Sequence, residues 1–224
     1  MLSPEKALQV LDKALNLCPQ ITVVGIAGPG DTLASPHAID TFRVVHKKYP
    51  SLIKCLSTNG MLLSEKANSL IDVGVKTVTV TVNAVNVEIL NQICSYVLHN
   101  TQYMTGDIAA RWLILAQIAG IKKAVELGIA VKVNTVLIPG INDHHIGEIA
   151  QVVAQAGAQF INIAPLIPQH EFSNKRPPTY LELNAARNVA EEYLPVNRQC
   201  CQCPANACGI PGSGIDLADQ LYKH

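Results

Sequence analysis

The sequence predicts an α/β fold, a partial (β/α) barrel of parallel strands, and three observations support this prediction. Short apolar segments alternate with helical segments along the 224 residues, and no hairpin signal interrupts them. Such alternation favours a parallel sheet with right-handed crossovers. Hydrophobic residues make up 49% of the chain and aromatic residues only 4%, which is typical of aliphatic strands buried on both faces. The first element is a helix, so we expect the first strand of the barrel to be missing.

Five strands and seven helices are predicted, and together they form one domain. The predicted strands cover residues 21–27, 52–56, 77–82, 129–137 and 160–164. The predicted helices cover residues 4–17, 38–48, 64–73, 87–98, 109–127, 145–156 and 181–194, and a polar loop covers 99–107. Residues 1–196 are the predicted barrel core, and residues 197–224 are a Cys-rich tail that we expect over the barrel mouth.

The charge balance and the hydropathy pattern exclude several classes of protein. Lysine plus arginine and aspartate plus glutamate both number 17, and nothing in the sequence suggests the clustered basic face that binds nucleic acid. No apolar run reaches the roughly 18–20 residues of a membrane span, and the amino terminus has no apolar signal-peptide region. We therefore expect a cytoplasmic protein that binds neither nucleic acid nor a membrane.

Glycine and polar residues follow the first two predicted strands, where parallel α/β folds bind their ligands. The first strand ends in Gly28, Pro29, Gly30 and Asp31. The backbone N–H groups of such a turn can bind a carboxylate or a phosphate, and the aspartate can bind an amine. An ordinary turn explains this stretch equally well. After the second strand, residues 57–60 have the same two explanations, a ligand site or a turn with a helix cap.

Two asparagines, Asn83 and Asn134, lie at or near the ends of strongly apolar strands. An amide left unpaired at such a position costs about 1–3 kcal/mol, so each amide needs a partner. Hydrogen bonds to neighbouring loops are one explanation. Contact with a polar ligand is the other, and the parallel placement of the two residues favours it.

The cysteines give the strongest local signal. Four of the seven lie between positions 200 and 208, and Cys200 and Cys203 form a C-x-x-C pair. Thiolates select zinc, copper(I) or iron–sulfur clusters, so a structural zinc site remains the alternative to an iron–sulfur site. Cys55 lies inside the second strand, where a buried cysteine commonly behaves as a small apolar residue. His170, in the loop after the fifth strand, is a weaker candidate for the same site.

Five motifs occur in an order that resembles a known family. They lie at residues 24–31, 55–60, 79–84, 131–143 and 200–203. The set, which extends over nearly the whole chain, resembles the NifB family of nitrogenase-cofactor maturases, which are radical S-adenosylmethionine (SAM) enzymes. The resemblance implies a barrel of the radical SAM type and lyase-type chemistry. It also implies partners, namely proteins that donate iron–sulfur clusters and proteins that carry or scaffold the cofactor in nitrogenase assembly.

The resemblance further implies a reaction and a set of site residues. Members of the family fuse two [4Fe–4S] clusters and insert a carbide from a SAM methyl group, giving the [8Fe–9S–C] precursor, while a third [4Fe–4S] cluster cleaves SAM. By the motif match, Cys55 is a ligand of one substrate cluster, and Cys200 with Cys203 holds the other. The residues that match the SAM pocket are Gly28, Pro29, Gly30, Asp31, Ser57, Asn59, Asn83 and Asn134.

One family motif is absent from the sequence. The family binds its SAM-cleaving cluster through a C-x-x-x-C-x-x-C motif after the first strand, and the 224 residues contain no such spacing. We therefore expect an amino-terminally incomplete or degenerate member that does not generate the radical alone. Two alternatives stay open, a non-catalytic iron–sulfur binding or scaffold module and a zinc-stabilised α/β protein.

Overall fold

The computed structural model describes residues 2–28 and 30–198, together with the single positions 208 and 221. Its centre is a five-stranded parallel sheet, so the predicted fold class is confirmed. The strands, in spatial order, are β1 (Val23–Ile26), β2 (Ile53–Thr58), β3 (Val75–Thr81), β6 (Ala130–Leu137) and β7 (Phe160–Pro165). Strand β1 forms one edge of this sheet. The spatial order of the five strands follows their order along the chain, and the short hairpin strands that occur between β3 and β6 in the sequence lie outside this sheet.

Helices cover one face of the sheet. They are α1 (Pro4–Leu17), α2 (His37–Lys48), α3 (Leu63–Asp72), α4 (Val87–Asn91), α5 (Gly106–Glu126), α6 (Ile146–Gln155) and α7 (Tyr180–Glu191). Alternate strand residues such as Leu56, Val78 and Val133 are fully buried in the main core. This burial drives the sheet and helices together, because the strands place every second side chain on the same face. None of the described helices combines the length and the apolarity needed to cross a membrane.

Local signals in the sequence explain where several helices begin. The Ser3 hydroxyl accepts a hydrogen bond from the Lys6 N–H at the start of α1, and Pro4 follows at the first helical position. Thr179 and Glu182 form a capping box at the start of α7, so each satisfies a backbone N–H that the helix leaves without a partner.

The predicted helix over residues 87–98 is wrong in its second half, and the expectation of an all-parallel arrangement without hairpins is wrong in the same place. Helix α4 ends at Asn91, and the chain then forms an antiparallel hairpin of β4 (Val97–His99) and β5 (Gln102–Met104). Asn100 and Thr101 connect the strands with φ angles of 47° and 65°. Positive φ at both central residues is the geometry that matches the right-handed twist of paired strands.

A short extended segment after α7 lies alongside β7. The Ile161 N–H donates to the Pro195 carbonyl at 3.0 Å, and the Asn197 N–H donates to the Ile161 carbonyl at 2.8 Å. The bridge between Ile161 and Val196 is parallel, so residues 196–198 run in the same direction as β7. The division of the chain at residue 196 stays a prediction, since residues 199–207 are not described.

Candidate functional site

The face of the sheet opposite the main core carries most of the polar strand residues, and we call it the open face. Lys54, Thr58 and Thr135 are instead buried on the core side. The apolar members of the open face, Val23, Ile53 and Phe160, remain 43–50% exposed, whereas the next residues along the chain, on the other face, are half-buried in β1 and buried in β2 and β7. The strand register arranges the open face in rows. The first row consists of Gly25, Cys55, Thr77 and Ala130. The second row consists of Ser57, Thr79, Lys132 and Phe160, and the third consists of Thr81, Asn134 and Asn162.

Cys55 lies on this open face, and its thiol is close to β1. A Cβ atom built on Gly25 would lie 3.0 Å from the Cys55 sulfur, so glycine at position 25 leaves the room that the sulfur occupies. A thiolate suits iron–sulfur clusters and zinc. No three His, Cys, Asp or Glu side chains converge on a metal site among the residues that the structure describes. A cluster at Cys55 therefore requires further ligands, and the predicted ligands Cys200 and Cys203 lie outside the described residues.

The predicted amine site at Asp31 is occupied by hydrogen bonds within the chain. Its Oδ1 atom accepts from the Leu33 N–H at 2.8 Å, and its Oδ2 atom accepts from the Thr58 hydroxyl at 2.7 Å and from the Asn59 N–H at 2.6 Å. The carboxylate therefore joins the loop after β1 to the end of β2. A carboxylate has about four acceptor positions, so these three bonds leave one position for a ligand amine.

The glycine loop before Asp31 is open at its edge. Gly30 has φ of +85°, a conformation that glycine adopts without strain, and a Cβ atom at Gly28 or Gly30 would meet nothing within 4 Å. A ligand can therefore approach this backbone closely, which fits the methionine end of SAM. Pro29, also predicted for this pocket, lies outside the described residues.

The predicted pocket residues after β2 divide between the open face and the loop. Ser57 is half-buried on the open face, in the row above Cys55. Asn59 is exposed in the following loop, where its side-chain oxygen accepts from the Met61 N–H at 2.9 Å. The buried Gln117 amide donates to the carbonyls of Asn59 and Thr81 at 2.8 Å each. It thereby joins the ends of β2 and β3 behind the site.

Both predicted asparagines use their side-chain oxygens within the protein. The Asn83 oxygen accepts from the Val136 N–H at 2.9 Å, and the Asn134 oxygen accepts from the Asn162 amide at 2.6 Å. Hydrogen bonds within the protein therefore account for the two oxygens, but the partners lie on β6 and β7 and not in neighbouring loops. The amide N–H groups of Asn83 and Asn134 form no hydrogen bond with another described residue and remain able to donate to a ligand.

The sequence analysis missed Asn142 and His145, which position the loops at the carboxyl ends of β3 and β6. Asn142 is fully buried and binds three backbone groups around the end of β6 and Asn83. His145 is 3% exposed, its Nε2 atom accepts from the Val85 N–H at 3.1 Å, and its Nδ1 atom lies 2.9 Å from Glu148. Their position in the polar loop that follows β6 is the signal that could have identified them. By contrast, His170 is exposed on a one-turn helix, and its role stays a prediction.

The stability of this loop should depend on pH through His145. Burial lowers the pKa of its imidazole below the ordinary value, against a smaller opposing effect of Glu148. A lowered folded pKa gives stability that is complete above the unfolded pKa near 6.5 and is lost as pH falls through the folded pKa. Protonation removes the acceptor of the Val85 N–H, at a cost of about 1 kcal/mol. Urea unfolding between pH 7.5 and 4.5 should show this loss in the wild type and lack it in His145→Gln.

Comparison with known proteins gives the family. A family model described as the Radical SAM superfamily matches residues 1–153. The FeMo cofactor biosynthesis protein NifB of Methanocaldococcus jannaschii is 46% identical over 210 residues, which are 94% of this chain and 70% of that protein. The protein of the same name from Chlorobaculum tepidum is 38% identical over 226 residues, which are 100% of this chain and 53% of that protein.

Solved structures agree on the fold. A radical SAM methyltransferase from Sphaerobacter thermophilus has a TM-score of 0.64 at 20% identity, over 88% of this chain and 57% of that chain. Streptococcus suis SuiB bound to S-adenosylmethionine also has a TM-score of 0.64, at 13% identity, over 99% of this chain and 48% of that chain. The family match and the identity to these relatives show that the chain belongs to the radical SAM superfamily and, within it, to the NifB family of FeMo cofactor biosynthesis proteins.

Proposed function

We propose that this chain takes part in the fusion of two [4Fe–4S] clusters with insertion of a carbide from a SAM methyl group, which gives the [8Fe–9S–C] precursor. The single observation that supports this most is the position of Cys55. Its thiol faces the open side of the sheet, one row from Ser57 and two rows from Asn134, rather than the helix-covered core. A cluster ligand and the amides proposed to bind SAM therefore share one face.

Cys55 holds one substrate cluster in this proposal, and Cys200 with Cys203 holds the other. The direction of the last described residues supports the second assignment. Because Val196 pairs in parallel with Ile161, residues 196–198 lead toward the carboxyl edge of β7. An extended chain advances about 3.3 Å per residue. Strand β7 is six residues long and Val196 pairs with its second residue, so the number of residues from Val196 to Cys200 is sufficient to reach the carboxyl edge of the strand.

SAM, when bound and reductively cleaved, supplies the radical and the methyl carbon. The chain's own groups bind and orient it in this proposal. Backbone N–H groups of Gly28 and Gly30 bind the methionine carboxylate, whereas Pro29, which lies between them in the sequence, has no N–H to offer. Asp31 binds the amino group through its remaining acceptor position. Hydroxyl and amide groups line the rest of the pocket, namely those of Ser57, Asn59, Asn83 and Asn134.

The proposal also includes partner proteins, and it includes the expectation that the chain alone does not cleave SAM. The substrate clusters come from iron–sulfur donor proteins, and the product passes to a cofactor carrier or scaffold protein. Because the sequence lacks the C-x-x-x-C-x-x-C spacing, three thiolates are not available to hold a SAM-cleaving cluster with one open iron. We therefore expect the 224-residue chain alone to bind iron and sulfide without cleaving SAM.

Anaerobic reconstitution tests these statements together. The chain is incubated with iron and sulfide, desalted, and analysed for iron, sulfide and zinc, and then treated with dithionite and SAM. We expect iron with equimolar sulfide and no 5′-deoxyadenosine. Zinc without sulfide would instead support the zinc-stabilised alternative. Formation of 5′-deoxyadenosine by the chain alone would contradict the expectation that it does not cleave SAM.

Complementation tests the biosynthetic role itself. A nitrogen-fixing strain that lacks its own family member receives this chain joined to the amino-terminal segment of the Methanocaldococcus jannaschii relative. We expect growth on dinitrogen from the joined protein and none from the unjoined chain. If the joined protein accumulates, binds iron–sulfur clusters and still fails to support growth, the non-catalytic cluster-binding alternative replaces the maturase proposal.

A further inference from the structure

Lys132 occupies an unusual position on the open face. From the row of Cys55 to the carboxyl ends of the five strands, every other open-face strand residue is neutral. These neutral residues are Gly25, Cys55, Ser57, Thr77, Thr79, Thr81, Ala130, Asn134, Val136, Phe160, Asn162 and Ala164. Lys132 lies between Thr79 and Phe160 in the second row and is half-buried. The described strands therefore place a single positive charge on this part of the face.

No carboxylate compensates this charge among the described residues. The Lys132 ammonium forms no ion pair with a described Asp or Glu, while Lys48, Arg176 and Arg198 do. A lysine on a partly buried face without a described counter-charge is free to pair with a negative charge from outside the chain. The side chain lines a cleft of about 540 Å³ with Thr77, Phe160 and Arg198, so there is room for a large group beside it. The charge and the cleft together indicate an anionic ligand.

We propose that Lys132 is a positioning residue for the iron–sulfur cluster bound at Cys55, whose sulfides and thiolates give it a net negative charge. This inference rests on the proposed function. Strand β3 separates the two residues, so they are about 10 Å apart across the sheet and one row apart along it. A lysine side chain and a cluster both extend into the space over β3, where the open-face residues are threonines. The ammonium there would stabilise the cluster electrostatically and favour its reduced form.

A SAM carboxylate is the competing anion, and the geometry favours the cluster. The glycine loop proposed to bind the methionine end follows β1, and β2 and β3 both lie between β1 and Lys132. That loop is therefore about 14 Å away across the sheet. Cys55 is one strand closer, in the adjacent row.

Three variants test the inference. Lys132→Met removes the positive charge and keeps a long unbranched side chain, and Lys132→Arg keeps the charge. Lys122→Met is the control. Lys122 is exposed on the surface of α5, away from the open face. After anaerobic reconstitution, retention of iron and sulfide is measured against increasing chelator, and the midpoint potential is measured by redox titration. We expect Lys132→Met to retain the cluster on the order of tenfold less well and to shift its potential downward. Lys132→Arg and Lys122→Met should behave as the wild type.

The result that overturns the inference is wild-type retention and potential in Lys132→Met. Weaker binding of S-adenosylhomocysteine to the metal-free Lys132→Met protein, with unchanged cluster retention, would also overturn it and assign Lys132 to the SAM carboxylate. If wild-type protein binds no iron–sulfur cluster, the proposed function fails, and this inference fails with it. Circular dichroism melting separates these outcomes from misfolding, since Met at this half-buried position should not lower the melting temperature.

Discussion

Replacing Cys55 with serine should remove about half of the iron and sulfide that the chain binds after anaerobic reconstitution, since one of the two proposed clusters loses a thiolate. A serine hydroxyl has nearly the same size, but it is a poor ligand for iron at neutral pH. The fold should tolerate the change, because the side chain is only half-buried on the open face. Iron and sulfide analysis, together with the absorbance near 400 nm, measures the effect, and urea unfolding should change by less than about 1 kcal/mol.

Cys94→Ser is the matched control. Cys94 packs against the small apolar cluster between α4 and α5, and burial raises the pKa of its thiol. A thiol held in its protonated form is a poor metal ligand, so this variant should keep the wild-type iron content. Loss of iron in Cys94→Ser and full retention in Cys55→Ser would contradict the assignment. Combined replacement of Cys200 and Cys203 should remove the other half of the bound iron and sulfide.

Replacing Asn142 with leucine should lower the free energy of unfolding by about 3 kcal/mol, because it leaves three backbone groups around this fully buried side chain without their partner. The Asn142 oxygen accepts from the Ile138 N–H at 2.7 Å, and its amide donates to the carbonyls of Asn83 and Val136 at 2.9 and 2.8 Å. Leucine has the same number of side-chain heavy atoms in a similar branched arrangement and makes none of these bonds. Urea unfolding followed by circular dichroism measures the change.

Asn91→Leu is the control for this substitution. Asn91 is exposed at the end of α4, and its amide donates to Asp107 at 3.0 Å on the surface. Surface substitutions of this kind usually change stability by less than about 0.5 kcal/mol. Equal effects of the two substitutions would show that the amide at position 142 is not a structural link. Because Asn142 also holds Asn83, the leucine variant should weaken SAM binding as well.

The alternation of strands and helices was predictable because burial on one face of each element leaves a clear period in the sequence. All five parallel strands lie within a few residues of their predicted positions, for example 129–137 against Ala130–Leu137. The α7 capping box at Thr179 similarly marks where a helix begins. These signals are local in the sequence, and interactions between residues near in sequence determine where such elements begin and end.

The hairpin was not predictable by the same method. Its turn is Asn100-Thr101, and threonine is not one of the residues that usually occupy a left-handed position, so the turn lacks the usual Asn-Gly signal. Its strands are only three residues long. Tertiary contacts support it instead: the Tyr96 and Tyr103 rings stack at 5.0 Å, and the His99 ring packs against Trp112 on α5.

The candidate site was predictable only in part, for a related reason. Residues that follow strand ends, such as Asn59 and Asn83, could be identified because topology fixes where strands end. The partners of a polar side chain depend on residues far away in the sequence. Asn142 and His145 stand in a polar stretch just before a helix, yet they bind backbone groups about 60 positions away, at Asn83 and Val85.

Gly25 and Cys55 constrain one another across two strands. The 3.0 Å between the cysteine sulfur and the place where a Cβ atom would stand at position 25 is closer than nearly all such contacts. Any larger residue at position 25 requires the sulfur to rotate away from β1. Anyone who redesigns this barrel to hold a different cluster should therefore vary the two positions as a pair, since neither can be optimised while the other is fixed.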